Sequence, residues 1–317
     1  DESYYGGAND DDSSGRLEYV VVKHTGAQVA NGDELNGISF GGVGRNTIIK
    51  NLQVYSTYDD GIEMFGGAVN FENFVAIYVR DDSIDVDEGY IGSVTNALVI
   101  QQETDGNRCV EADGIGSYSS KSDEFIQDMF ARGLNSRPTI IGLTCIFSPS
   151  EGTHDPGAGL RLREGLWPTI QGAVVFGGYG EEVSPGEHWA IRVDDTVASD
   201  GFALGNAAIS DSVFAAVTKS SKTIAGQNVS DWLQANSNTV FADLTVPVNP
   251  TQAANTDLIL FSSSNGFYSV PAGDVVVNDA SLPAQEVARE ILGAIAETND
   301  WTAGWTFGLD QTFWFQQ

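Results

Sequence analysis

The sequence predicts an all-β fold, a right-handed single-stranded parallel β-helix, on three observations. A phrase in residues 51–64 returns 22 residues later: Asn51-Leu52-Gln53-Val54 as Asn73-Phe74-Val75-Ala76, and Asp59-Asp60-Gly61-Ile62-Glu63-Met64 as Asp81-Asp82-Ser83-Ile84-Asp85-Val86. Self-similarity at such a period marks a solenoid, in which each unit buries its apolar face only by stacking on its neighbours. Within each copy, apolar Leu52 and Val54 or Ile62 and Met64 alternate with polar residues, which is the period of strands and not of helices. Asn recurs at 51, 73 and 96. Asn tolerates the left-handed conformation of a tight turn, and stacked amides can bond one another along the axis.

Taken in order, residues 1–15 have loop chemistry, with two tyrosines, a Gly pair and the acidic run Asp10 to Asp12. Leu17 to Val22 reads as a strand, and Asn36 to Gly42 closes the first coil. No amphipathic helix precedes that coil, and an exposed terminal rung is an unpaired edge over an open core. The expected cover is an upstream β-helical fragment of the same precursor or another copy of the chain, the latter opening a route to filaments. Opening on Asp1, the chain reads as a mature or trimmed product. A third, looser copy runs from Asn96 to Ala112, residues 114–138 break the period as an insertion with a short helix, and rungs resume at Thr139, Gly159, Thr169, Trp189 and Ala207. The β-helix is thus expected over 1–228, with about seven or eight rungs. Residues 229–317 should hold the last irregular rungs, with a short helix behind Ser230 and a capping helix over 281–296. That helix is read from Val287, Ile291 and Ile295 on one face and Pro283 in the first turn, and an aromatic tail including Trp301, Trp305 and Phe307 follows it.

The 15 Lys and Arg stand against 44 Asp and Glu, a formal charge of −29, which disfavours nucleic acid and anionic membrane surfaces as partners. No apolar run is long enough for a membrane span. Cys109 and Cys145 are too few for a disulfide framework and read as two small buried thiols, with a single bridge as the alternative. His154 and His188 lie in loops and read as solvent-facing.

If Ile62 and Met64 point inward, Glu63 points outward, and Asp85 and Glu111 stack on it as an acidic ladder. Rungs repeat at about 4.8 Å, so such carboxylates repel unless a cation, a proton or side-chain rotation relieves them. Asp59, Asp60, Glu63, Asp81, Asp82, Asp85 and Asp87 supply the several oxygen ligands a hard divalent cation needs, and Ca2+ is the expected cofactor. Farther up, Arg161 and Arg192 take the ladder's column and its sign changes. Carboxylates one or two rungs apart, at about 5 or 9.5 Å, also span the separations used by glycoside hydrolases, which makes Glu63, Asp85 and Glu111 the catalytic candidates of an alternative reading.

Tyr58-Asp59-Asp60-Gly61-Ile62-Glu63 resembles the NTDGID stretch of polygalacturonases, which are parallel β-helices. None of the three histidines lies between glycines as that family requires, and Arg161-Leu162-Arg163 only echoes its Arg-Ile-Lys. A broader resemblance rests on YYGGANDDDSSGRLEYVVVKHTGA, LNGISFGGVG, DDGIEMFGG, DDSIDVDEGY, GNRCVEAD, GLRLREG and DWTAGWT. These phrases are similar to those of secreted or lipid-anchored β-helix proteins from Gram-negative and marine bacteria. The resemblance implies the fold, more coils upstream, and an extracellular or outer cell-surface location. Together these readings lead to a structural or binding protein stabilised by Ca2+. The alternative is a polysaccharide-degrading hydrolase or lyase.

Overall fold

The computed structural model describes residues 5–30, 33–102, 105–148, 157–177, 188–215, 218–220, 223–241, 261–262, 268–271, 291–295 and 299–309. β1 (Arg16–Lys23) opens the first coil, a small hairpin of β2 (Gln28–Ala30) and β3 (Asp33–Glu34) leaves it, and β4 (Ile38–Gly41) completes it. Long and short strands then alternate: β5 (Ile48–Tyr55), β6 (Ile62–Phe65), β7 (Asn70–Ile77), β8 (Ile84–Asp87), β9 (Ser93–Ile100) and β10 (Arg108–Asp113). Helix α1 (Asp123–Arg132) precedes β11 (Thr139–Phe147), β12 (Ala158–Arg163), β13 (Thr169–Gln171), β14 (Val174–Gly177) and β15 (Ile191–Val193). β16 (Ala208–Ser210), β17 (Val213–Ala215), β18 (Thr218–Ser220), helix α2 (Val229–Ala235) and β19 (Thr239–Phe241) finish the stack. Beyond it β20 (Phe261–Ser262), β21 (Tyr268–Pro271) and β22 (Ile291–Leu292) form a separate antiparallel sheet.

The stack is a parallel β-helix of two sheets. The wide one runs β1-β5-β7-β9-β11-β14-β17-β19, eight levels with β13 and β16 beside them, and the narrow one runs β18-β15-β12-β10-β8-β6-β4. Between the sheets, Ile62, Met64, Ile84, Val86, Leu160 and Leu162 of the narrow sheet meet Leu52, Val54, Phe74 and Val99 of the wide one, all buried. Burying one such side chain is worth about 1.5–3 kcal/mol, and stacking supplies the cover that no coil has alone.

What bends the wide sheet's long strands is one register position held in the left-handed region: Tyr19, Asn51, Asn73, Asn96, Gly142, Gly172 and Asp211, at φ between 51° and 68°. An L residue pays about 1–2 kcal/mol there, and Asn and Gly pay least. The three asparagines bond in series, Asn73 Nδ2 donating to Asn51 Oδ1 at 2.9 Å and Asn96 Nδ2 to Asn73 Oδ1 at 3.1 Å.

Cys109 of β10 and Cys145 of β11, expected as thiols, are joined in a disulfide across the core, with Cα atoms 6.0 Å apart. Both are fully buried and sit on opposite walls of the stack, so the bridge ties the two sheets to each other. The insertion carries α1, capped by Ser122, whose side chain accepts from Phe125 N, and closed by Gly133 at φ 67°. Helix α2 begins at the expected residue 229, though Asn228 and not Ser230 supplies the cap, and it packs against β18 and β19 with Trp232 beside Phe202. His154 lies outside the described residues, whereas His188 is buried, its Nδ1 2.9 Å from the Gly157 carbonyl oxygen.

The capping helix expected over 281–296 is not observed: residues 281–290 lie outside the described set, and Ile291–Leu292 pairs as β22 with β21. The chain that follows lies on the outer face of the wide sheet. Gly293 N donates to Gly172 O, Ala294 N to Thr144 Oγ1, and Trp305 meets Tyr19 edge-on. Val75, Leu98, Ile100, Ile146, Val174 and Phe176, outward residues of that sheet, form a second apolar cluster with Leu292, Ile295 and Trp305. Gln53, fully buried, holds the segment with both ends of its amide, donating to Phe307 O at 2.8 Å and accepting from Phe307 N at 2.7 Å. At Ile291 and Ile295 the helical period does not hold, because an outward apolar column on the sheet offers the same hydrophobic gain to an extended segment. Among the described residues no helix is long and apolar enough to cross a membrane.

Candidate functional site

The outer face of the narrow sheet carries the predicted ladder in register: Glu63 on Asp85, Asp85 on Glu111, Glu111 on Arg161 and Arg161 on Arg192. The adjoining turns align four residues earlier, as Asp59-Asp60, Asp81-Asp82 and Asn107-Arg108. Coils approach closely at this turn, since a Cβ on Gly61 would stand 2.5 Å from the Ser83 carbonyl oxygen. Two of the acids serve as clips between coils: Asp60 Oδ1 accepts from Asp82 N at 3.0 Å, and Asp82 Oδ1 accepts from Arg108 N at 2.8 Å.

Two groups of three carboxylates converge here, Asp59 with Asp60 and Asp81, and Asp60 with Glu63 and Asp85, the oxygens in each lying within 4.8 Å of one another. Asp60 belongs to both and is buried. Of the seven predicted ligands, Asp82 stands aside in its backbone clip, and Asp87 belongs to the next outward column, where its Oδ1 accepts from Glu88 N at 2.6 Å.

Burial is the main force on these groups. It pushes Asp60, Asp82 and Asp85 well above the usual carboxylate range, with neighbouring acids pushing the same way. Glu63 rises to about 7, burial outweighing the Asn36 amide that donates to it. Asp87 rises to about 6, and Asp113 to about 7 in spite of Arg163. Glu111 is committed differently: it accepts from Arg161 Nη1 at 3.0 Å and pairs with Arg163 Nη2 at 2.6 Å, while Arg163 also holds Asp113. The three catalytic candidates therefore divide, Glu63 and Asp85 being acid-crowded and Glu111 answered by two arginines.

Asn36, Asn107, Arg108 and Arg163 were not among the site residues that the sequence suggested. Asn107 Nδ2 donates to Asp81 Oδ1 at 2.5 Å, and its own Oδ1 is buried with no hydrogen-bond partner. A buried acceptor without a donor costs about 1–3 kcal/mol. Three carboxylates with an orphan amide oxygen beside them form an all-oxygen, hard donor set, which fits a divalent cation such as Ca2+. A signal existed: Asn107 precedes Glu111 by four residues, as Asp59 precedes Glu63 and Asp81 precedes Asp85, but the longer third turn hid the alignment.

The fold agrees with a family of known β-helix domains. No curated protein and no solved structure matches the chain. The model of the pectate-lyase-like β-helix domain does match, over residues 1–306, and the chain belongs to that family.

Proposed function

We propose that the chain is an extracellular or cell-surface binding module whose acidic turns hold Ca2+. The observation carrying this reading is the pair of carboxylate groups sharing Asp60, flanked by the partnerless Asn107 oxygen. Asp59, Asp60, Asp81 and Asn107 would hold one cation, and Glu63 and Asp85 border it through Asp60. The cation supplies the positive charge that lets coils carrying these acids lie one strand spacing apart. The Cys109–Cys145 bridge supports an oxidising compartment and so an outer-surface location.

Ca2+ should raise the melting temperature over a buffer with EDTA, a cation at a hundredfold excess over its Kd adding about 2.7 kcal/mol. Asp60→Asn keeps the oxygen that clips Asp82 and removes the charge. It should abolish the Ca2+ response without lowering metal-free stability. Identical wild-type curves with Ca2+ and EDTA would sink this reading.

The assembly expected on the first coil belongs to the same proposal. Leu17, Val20 and Val22 are only half-buried where Ile49, Leu52 and Val54, stacked against them in that order, are buried. Upstream rungs of the same precursor, or a second copy, would complete that burial. Sedimentation tests the second copy, which requires a dimer or a longer polymer, and a well-behaved monomer with this coil open to solvent would sink both versions.

A second reading, an enzyme acting on polysaccharide, is favoured by one observation: Glu63 sits near neutrality one rung from Asp85. A carboxylic acid protonated at neutral pH can serve as a general acid. Reducing ends or unsaturated products released from a glycan panel, and lost in Glu63→Gln and Asp85→Asn, would establish it.

A further inference from the structure

The second half of the narrow sheet's outer face carries like charges stacked together. Arg161 on β12 and Arg192 on β15 stand in register. At about 4.8 Å between strands, two unit charges repel by about 1 kcal/mol in water and about fourfold more near a protein surface. The neighbours have their answers. Arg161 gives Nη1 to Glu111, and Arg163 pairs with Glu111 and Asp113. Arg108 is buried with its guanidinium over the Trp189 ring at 5.2 Å. Arg192 differs: no carboxylate among the described residues lies within ion-pair distance of it. Asp194, two residues on, accepts at its Oδ1 from the backbone N and the hydroxyl of Thr196. Partial burial, then Arg161 and Arg108, work against the charge on Arg192 and outweigh the more distant support of Asp194 and Glu111. In a chain with 44 acids and 15 Lys and Arg, a carboxylate in this column would have been the ordinary solution.

We propose that Arg192 and Arg161 together bind an oxyanion, a carboxylate or sulfate group of a ligand lying across this face. Each guanidinium has five N–H donors in a planar fork, and Arg161 spends only one nitrogen on Glu111. An oxyanion between the two forks accepts charge-assisted hydrogen bonds from both and turns their repulsion into attraction. The site lies beyond Glu111 from the carboxylate groups, so its failure would leave the cation reading intact.

The experiment compares melting of the wild type and Arg192→Gln in sodium sulfate and in sodium chloride of equal ionic strength. Sulfate stabilises proteins generally by exclusion from their surface, and that part is common to both proteins. The wild type should gain an additional shift of about 3 °C at tenfold excess over Kd, absent from the variant. In chloride the variant should melt at or above the wild type, because a repulsion is gone. Equal sulfate shifts in the two proteins overturn the proposal. So does a variant that melts lower by the same amount in both salts, which would make Arg192 a structural strut. A third arm with sulfated and uronate oligosaccharides distinguishes the sources: tighter binding than free sulfate assigns the group to a saccharide, and equal binding assigns the site to the free anion.

Discussion

Asn73 is both donor and acceptor in one column, giving its Nδ2 to Asn51 and taking Nδ2 of Asn96, while its backbone holds φ 62°. Two demands thus fall on one side chain. Asn73→Ala loses two amide bonds, worth about 0.5–1.5 kcal/mol each, and places a Cβ residue without local compensation in the left-handed region at about 1–2 kcal/mol. A loss of about 2–5 kcal/mol is expected in urea unfolding, with Asn73→Gly recovering the conformational part alone. Equal losses in the two variants would show that conformation plays no part.

Reduction should be costly. Cys109 and Cys145 are 36 residues apart in sequence, and closing a loop of that size is worth about 3–4 kcal/mol. The double variant Cys109→Ser, Cys145→Ser should unfold at correspondingly lower urea, and dithiothreitol should lower the wild type toward it without affecting the variant.

Acid should stabilise the metal-free protein. Glu63 is raised from 4.5 to about 7, and Asp87 and Asp113 from 3.8 to about 6 and 7, all chiefly by burial. The folded chain therefore holds protons that the unfolded chain has released. Stability is complete below the unfolded values and declines as pH rises through the folded ones. In EDTA the melting temperature should fall from about pH 5 to about pH 8, and Ca2+ should restore most of the loss at the upper end. A melting temperature that climbs over this window would contradict the burial of these acids.

The segment on the wide sheet should be removable only at a cost. Trp305→Ala uncovers part of the outer apolar cluster and is expected to destabilise by about 3–5 kcal/mol. Gln53→Ala should act on the same contact, leaving the Phe307 backbone groups unanswered. Cleavage near residue 300 under limited proteolysis, faster in either variant than in the wild type, would report the loosening.

The coil architecture was legible because each coil repeats its own turn chemistry: Asn at the bend, Asp-Asp before the narrow strand, and Ile-x-Met or Ile-x-Val within it. The register from Glu63 to Arg192 followed from that period, including the change of sign. Features joining residues across different phases of the coil were hidden. The Cys109–Cys145 bridge links opposite walls, and no repeat states which positions face each other across the core. Asn107 was hidden by an irregular turn length. Periodicity also misled at Ile291 and Ile295, whose spacing suits a helix, while the sheet's outward Val75, Leu98 and Val174 column offered an extended chain the same cover.

The clasp between Gln53 and Phe307 joins residues 254 apart in sequence. A simple solenoid has only near-neighbour contacts, so its coils can form one after another and melt independently from either end. Here late-synthesised residues complete the surface of the earliest coils, raising the mean sequence separation of contacts and slowing the final folding step. Coils emerging from the ribosome therefore wait, with their outer apolar column uncovered, until the segment that bears Trp305 and Phe307 arrives. Once it is seated, loosening the coils of β1 and β5 also requires releasing the segment around Trp305 and Phe307, which couples rungs that a simple solenoid leaves independent.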